Sequence, residues 1–180
     1  QKAVVTWNPM LMTIEQTPGV TKLFDSSKIP GEILDLLVVN TKVLRDEPRF
    51  AEALVGAWYE VMSLMSQRGP AADNAMAAMA QRSNASLNEY KAQLRTTAMF
   101  WTPEAAGDYA RGPEIKEKMD FVRNFCFKHG LLGENARSVD IVGIRYPDGT
   151  IQGDSRNVKL RFDTRFVDKA KTGQLRKGGG

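Results

Sequence analysis

A chain of 180 residues with one cysteine and one histidine is short of the groups that several chemistries need. Cys126 has no partner for an internal disulfide, and its setting, Phe125-Cys126-Phe127, is that of a buried structural thiol rather than a reactive one. His129 has no second histidine and no nearby cysteine, so a metal site or a nucleophile–base–acid triad has nothing to build on. No apolar run approaches the roughly 18 residues needed to span a bilayer, and no repeat of solenoid length is present. No signal peptide is visible. Position 1 is Gln and an alternating apolar stretch follows at once, which reads as a processed chain or as one that starts within a longer protein. Charge of one sign is scarce too. The net charge is only +4, and most Lys and Arg alternate with Asp and Glu, as in Arg45-Asp46-Glu47-Pro48-Arg49. That pattern is a solvated surface, and no nucleic-acid partner is expected. Only the stretch from Lys169 to Lys177 is unbalanced, and Gly178-Gly179-Gly180 after it reads as a flexible end.

What is present is ordinary for a soluble domain, 42% hydrophobic and 26% charged, and enough to build a core. Ala3-Val4-Val5-Thr6-Trp7 is β-branched and aromatic and predicts a strand, closed by Asn8-Pro9. A helix is expected from Pro9 to Gln16, then a break at Thr17-Pro18-Gly19 and a second strand from Val20 to Phe24. The turn-rich Asp25 to Gly31 leads to Asp35-Leu36-Leu37-Val38-Val39-Asn40, a strand expected to be buried on both faces. Together these suggest a βαβ unit.

From Thr41 the chain turns helical. The longest helix is expected to start at Pro48 and to bury Phe50, Leu54, Ala57, Trp58, Val61, Leu64 and Met65 on one face, stopping at Gly69-Pro70. Helices are predicted over Ala71–Arg82, from a capping box at Ser86-Leu87-Asn88-Glu89 to Thr96, after Thr102-Pro103, and from Pro113 to His129 with Gly130 as the stop. Val139 to Arg145 and Thr150 to Gln152 flank the turn Tyr146-Pro147-Asp148-Gly149, with a further strand over Val158–Phe162 and a short helix over Thr164–Lys171. Three short strands near the front are fewer than an open sheet usually holds, so they look like the end of a sheet whose beginning lies elsewhere.

The run Ala3-Val4-Val5-Thr6-Trp7-Asn8-Pro9 resembles a segment of the periplasmic solute-binding proteins of ABC importers, the superfamily of the taurine, nitrate and thiamine-precursor binders. Phe24 to Ile33 is similar to the crossover between lobes in that family, and Asp35 to Asn40 to the returning strand of the first lobe. Ala53 to Tyr59, Met99 to Pro103, Phe127 to Gly133 and Asn157 to Asp163 fit in the same order, the last three resembling a subgroup associated with urea carboxylase and guanidine degradation. The likeness covers nearly all of residues 3–175.

The resemblance implies an α/β chain, the C-terminal part of a two-lobed type II periplasmic-binding-protein fold, mostly helical after the first 40 or so residues. Residues 1–27 would end the second lobe, 28–40 would form the hinge crossover and a first-lobe strand, 41–133 the helical part of the first lobe, 134–177 a C-terminal extension with a hairpin and a short helix, and 178–180 the glycine tail. Family members carry about as much chain again ahead of this region, so association with that missing half, or with a second copy, is expected. The implied function is capture of a small polar solute, urea- or guanidine-like or else nitrate- or sulfonate-like, for delivery to an ABC permease and ATPase, outside the cytoplasm and peripheral to the membrane. No cofactor, metal or catalysis is expected. The alternatives are the effector-sensing domain of a transcription regulator and a thiamine-precursor-type biosynthetic enzyme. The expected ligand residues are Trp7, whose face suits a planar solute or a cation; Asn8 beside it; Glu32 and Asp35, whose carboxylates suit the forked donors of guanidinium; and Ser27 near the hinge.

Overall fold

The computed structural model describes residues 2–175; Lys177 and the glycine tail lie outside them. The fold is mixed α/β, about 52% helical, with one small sheet. It divides into two compact units, one formed by the described residues of Gln1–Pro30 with Leu64–Met99, the other by those of Gly31–Ser63 with Phe100–Gly180.

The first unit is built on a helical hairpin. Helix α1 spans Met10–Glu15 and is followed by a 3-10 turn at Ser26–Lys28. The hairpin itself is α4 (Pro70–Arg82) and α5 (Leu87–Arg95). In α4 the buried residues are Ala72, Met76 and Ala80, spaced by four. That spacing makes one stripe, and its two alanines let a neighbour approach closely. Tyr90 of α5 reaches back to the Met79 sulfur at 3.7 Å, and Lys91 to Asp73 at 2.6 Å. The capping box forms as the sequence predicts. Ser86 Oγ accepts from the Glu89 amide, and the Glu89 carboxylate accepts from the Ser86 amide at 2.7 Å.

The second unit holds α2 (Thr41–Asp46), α6 (Pro103–Arg111), α7 (Pro113–Lys128), α8 (Arg165–Lys171) and most of α3 (Pro48–Ser66), within which the boundary between units falls. Side-chain oxygens of Asn40 and Thr102 cap α2 and α6. The sheet has three strands, β1 (Gly143–Arg145), β2 (Ile151–Gln152) and β3 (Val158–Arg161), in the order β2-β1-β3. β1 and β2 are antiparallel, joined by the Tyr146-Pro147-Asp148-Gly149 turn, in which the Gly149 amide donates to the Tyr146 carbonyl at 2.9 Å. β1 and β3 run parallel, with Ile144 opposite Leu160 and Arg145 opposite Arg161. The core packs Ile115 of α7 against Ile144 and Tyr146, with Leu34, Tyr109, Met119, Leu160 and Phe162 around them. The Tyr146 and Phe162 rings stack at 5.7 Å.

Three expectations do not hold. Ala3–Trp7, Val20–Phe24 and Asp35–Val39 belong to no sheet, so the βαβ unit is not formed among the described residues. The physical reason is the lack of partner strands. β-propensity measures how a residue fits a pleated, half-covered surface, and here no ladder exists to supply one. Most of their side chains are exposed, Val5 at 99% and Leu23 at 90%. The stretch Val139–Ile141 is a 3-10 turn rather than the first part of a strand, because Ser138 caps it by accepting from the Asp140 amide. The buried face of α3 is only in part the expected one. Ala51, Met62 and Met65 are buried, whereas Phe50, Trp58 and Val61 are exposed. Small and flexible residues take the contacts, and the large ones are left outside.

Candidate functional site

The expected ligand residues fall in different units: Trp7, Asn8 and Ser27 in the first, Glu32 and Asp35 in the second. Trp7 is 73% exposed. Its carbonyl accepts from the Leu11 amide at 3.0 Å, so the chain turns into α1 directly after the indole and presents it at the turn. The Asn8–Pro9 peptide that follows is cis.

Asn8 is held by a one-way relay. The Thr96 hydroxyl donates to the Gln93 carbonyl at 2.7 Å, which spends its only proton. Thr96 can then only accept, and the Asn8 amide NH2 donates to it at 3.0 Å. This orientation leaves Asn8 Oδ1 turned inward, buried and without a partner. An unpaired buried acceptor costs about 1–3 kcal/mol. Trp7 is thus open to solvent, while the side-chain carbonyl of Asn8, its neighbour in sequence, is enclosed.

Ser27 is committed to its own turn. Its amide and hydroxyl both donate to Asp25, at 3.0 and 2.5 Å. Those two bonds, with Lys22 at 3.2 Å, hold the Asp25 carboxyl down to about 2. Glu32 faces Lys118 of α7 at 3.8 Å. Asp35 is exposed.

The most heavily connected polar cluster lies in the second unit, where α7 meets β2. Arg123 bonds Asp120 at 2.9 Å and Asp140 at 3.0 Å, and its remaining terminal nitrogen is buried without a partner. Gln152 donates to the Lys116 carbonyl at 3.2 Å and accepts from the Tyr146 hydroxyl at 2.6 Å. Lys116 binds Asp148 at 2.5 Å and lies 5.4 Å from the centre of the Tyr146 ring. Lys116 and Thr150 keep the Asp148 carboxyl near 2. Beside the cluster runs an open groove of about 550 Å³ lined by Lys116, Glu117, Asp120, Phe121, Asn124 and Gln152. Sequence reading did not find this cluster. Only the Asp120–Arg123 spacing of three was a local sign of it.

The cluster ties elements together, its carboxylates engaged by cations. Among the described residues no group of three or more His, Cys, Asp or Glu side chains is placed to hold a metal ion, and no helix is long and apolar enough to cross a membrane. No family model, curated protein or solved structure matches the chain.

Tyr146 gives the cluster a titration signature. The residue is 2% exposed, and burial pushes its phenol from 10.0 up to about 12. The folded state thus favours the neutral phenol. Stability from this source is fully present below pH 10 and is lost as the pH rises from 10 through about 12. The denaturation midpoint of the second unit should fall over that window. Tyr146→Phe should remove this component of the fall while forfeiting the bond to Gln152. Parallel alkaline profiles for the two proteins would contradict the assignment.

Proposed function

We propose that the chain is part of a solute-binding component of an ABC importer, working outside the cytoplasm and capturing a small, planar, donor-rich solute such as guanidinium or urea without turning it over. The observation that carries this reading is the exposed indole of Trp7, presented to solvent at the turn into α1. A planar cation suits it by stacking on the ring. The finer fold assignment belongs to the same proposal. Ala3–Trp7, Val20–Phe24 and Asp35–Asn40 become strands of a two-lobed clamp when strands from other polypeptide pair with them. The exposure of Val5, Leu23 and Val38 supports this, because apolar segments of this kind gain by being covered.

The test is titration calorimetry on the full-length protein with guanidine, urea, nitrate and taurine. Binding of guanidine or urea at an affinity on the order of micromolar, about −8 kcal/mol, is expected. Trp7→Ala should abolish it, and Asn8→Ala should weaken it. Nitrate or taurine binding in preference to guanidine and urea would transfer the proposal to an anion site. No heat from any of the four, with unchanged tryptophan fluorescence, would end it.

A further inference from the structure

We propose that the outward face of α7 is an interface on which a second copy of this chain packs, antiparallel, about a two-fold axis near Arg123. The helix buries Ile115 and half-buries Met119, Val122 and Cys126, at spacings of four, three and four. That stripe faces its own unit. The opposite stripe carries Glu117, Phe121, Asn124, Phe125 and Lys128, all exposed. Phe121 is 57% exposed and Phe125 50%, and the His129 ring lies 4.3 Å from that of Phe125. The open groove of about 550 Å³ runs past Glu117, Phe121 and Asn124, along the flank of the same stripe.

The order of residues along the stripe identifies the occupant. Glu117 stands toward its start, the two phenylalanines in its middle and Lys128 at its end. The helix dipole by itself favours an acid early and a base late. It gives no reason for two exposed aromatic rings between them, whereas burial against another surface does. Lys116 and Asp120, at the margin of the stripe, are already bonded to Asp148 and Arg123, so Glu117 and Lys128 set its charge.

This pattern is complementary to itself. Glu117 and Lys128 are eleven residues apart, close to three helical turns and about 16 Å along the axis. Reversing the helix about Arg123 brings Phe121 of one copy to Phe125 of the other, and Glu117 beside the other copy's Lys128. Two-fold symmetry makes each contact twice. A parallel copy would instead set Glu117 against Glu117 and Lys128 against Lys128. A helix lying on a bilayer flanks its apolar stripe with Lys and Arg, whereas Glu117 and Asp120 border these rings. One helix stripe covers less than the roughly 1,200 Å² of a stable interface, so a dissociation constant on the order of 100 μM is expected.

Sedimentation of the full chain over a concentration range that spans this value tests the proposal, which does not depend on solute capture. Wild type should pass from monomer to dimer. Phe121→Ala should raise the dissociation constant about tenfold or more. Glu117→Lys and Lys128→Glu, each alone, should raise it about fivefold or more, because every reversal acts twice across the axis. An equimolar mixture of these two variants should associate as wild type does, since each then presents the charges the other lacks. The double variant Glu117→Lys with Lys128→Glu should also regain self-association. Both recoveries separate charge pairing from misfolding. A monomer at every concentration would overturn the proposal. So would association that Phe121→Ala leaves unchanged, single reversals that sediment as wild type, or a mixture no more associated than its components.

Discussion

Gly153→Ala should disrupt the C-terminal sheet, whereas Gly149→Ala, four residues away, should be nearly tolerated. Both glycines have left-handed backbone, φ +85° and +84°. An alanine at either position meets the same intrinsic penalty, about 1–2 kcal/mol. Their surroundings differ. Around Gly149 an added methyl meets open space. At Gly153 it would fall on the Val142 carbonyl oxygen and lie 3.1 Å from the Arg123 guanidinium. Neither neighbour can retreat cheaply. Val142 leads directly into β1, and Arg123 is fixed by Asp120 and Asp140. The amide of Asp154, the next residue, donates to the Asp140 carbonyl at 2.8 Å, so a shift of the backbone there would loosen the same cluster. The expected loss is about 3 kcal/mol or more for Gly153→Ala, against about 1 for Gly149→Ala. Hydrogen exchange at the Tyr146 and Phe162 amides reads this locally, since those amides donate to Thr150 and Arg145 at 2.9 Å within the sheet. Equal loss of protection in the two variants would mean that backbone conformation alone, and not the close approach at Gly153, sets the cost.

What could be read in advance divides along a physical line. The Ser86–Glu89 capping box, the Thr102 cap, Pro103 and Pro113 at helix starts and the Tyr146–Gly149 turn all depend on residues a few positions apart. Local hydrogen bonding decides such features, and the sequence contains all the partners. The segment Ala3–Trp7 is as β-branched as a strand can be, yet a strand exists only through a neighbour, and none is paired with it. The buried face of α3 failed for a related reason. Periodicity fixes that Phe50, Leu54, Trp58, Val61 and Met65 share a side of the helix, but not how much of that side is covered along its length. Met65 is covered, as are Ala51 and Met62, whereas Trp58, which lies between Ala51 and Met65 around the helix axis, is exposed.

The candidate site follows the same division. Trp7 was recognisable as the end of an apolar run before a proline, and it is exposed. The unpaired Asn8 carbonyl was not legible, because it depends on Thr96, 88 residues away, having spent its proton on Gln93. Arg123 is similar. Its bond to Asp120 lies within one helix, but its bond to Asp140 crosses to a 3-10 turn that no periodicity announces. The register of Arg145 against Arg161 was equally hidden, since the parallel pairing of β1 with β3 is a tertiary fact.

Ile115→Ala should cost the second unit about 2–5 kcal/mol, the range for truncating a fully buried aliphatic side chain. Ile115 is 1% exposed and, among the described residues, is the largest side chain that is completely enclosed. It belongs to the first turn of α7, and its neighbours come from separate pieces of chain: Ile144 on β1, Tyr146 in the following turn, Leu34 ahead of α2 and Tyr109 on α6. A cavity surrounded by several independent elements cannot close by the movement of any one of them, so the loss should sit toward the upper part of that range. Ile115→Val removes one methylene and should cost about 1 kcal/mol. Phe121→Ala, on the same helix, removes a larger side chain that is 57% exposed, and should cost less than either. The variant that removes the most volume is therefore expected to cost the least, with burial outweighing size. Denaturation followed by Tyr146 and Phe162 amide protection measures all three in the unit that contains them. If Phe121→Ala proves as damaging as Ile115→Ala, α7 does not pack on the sheet through its Ile115 face, and the core described around Tyr146 is wrong.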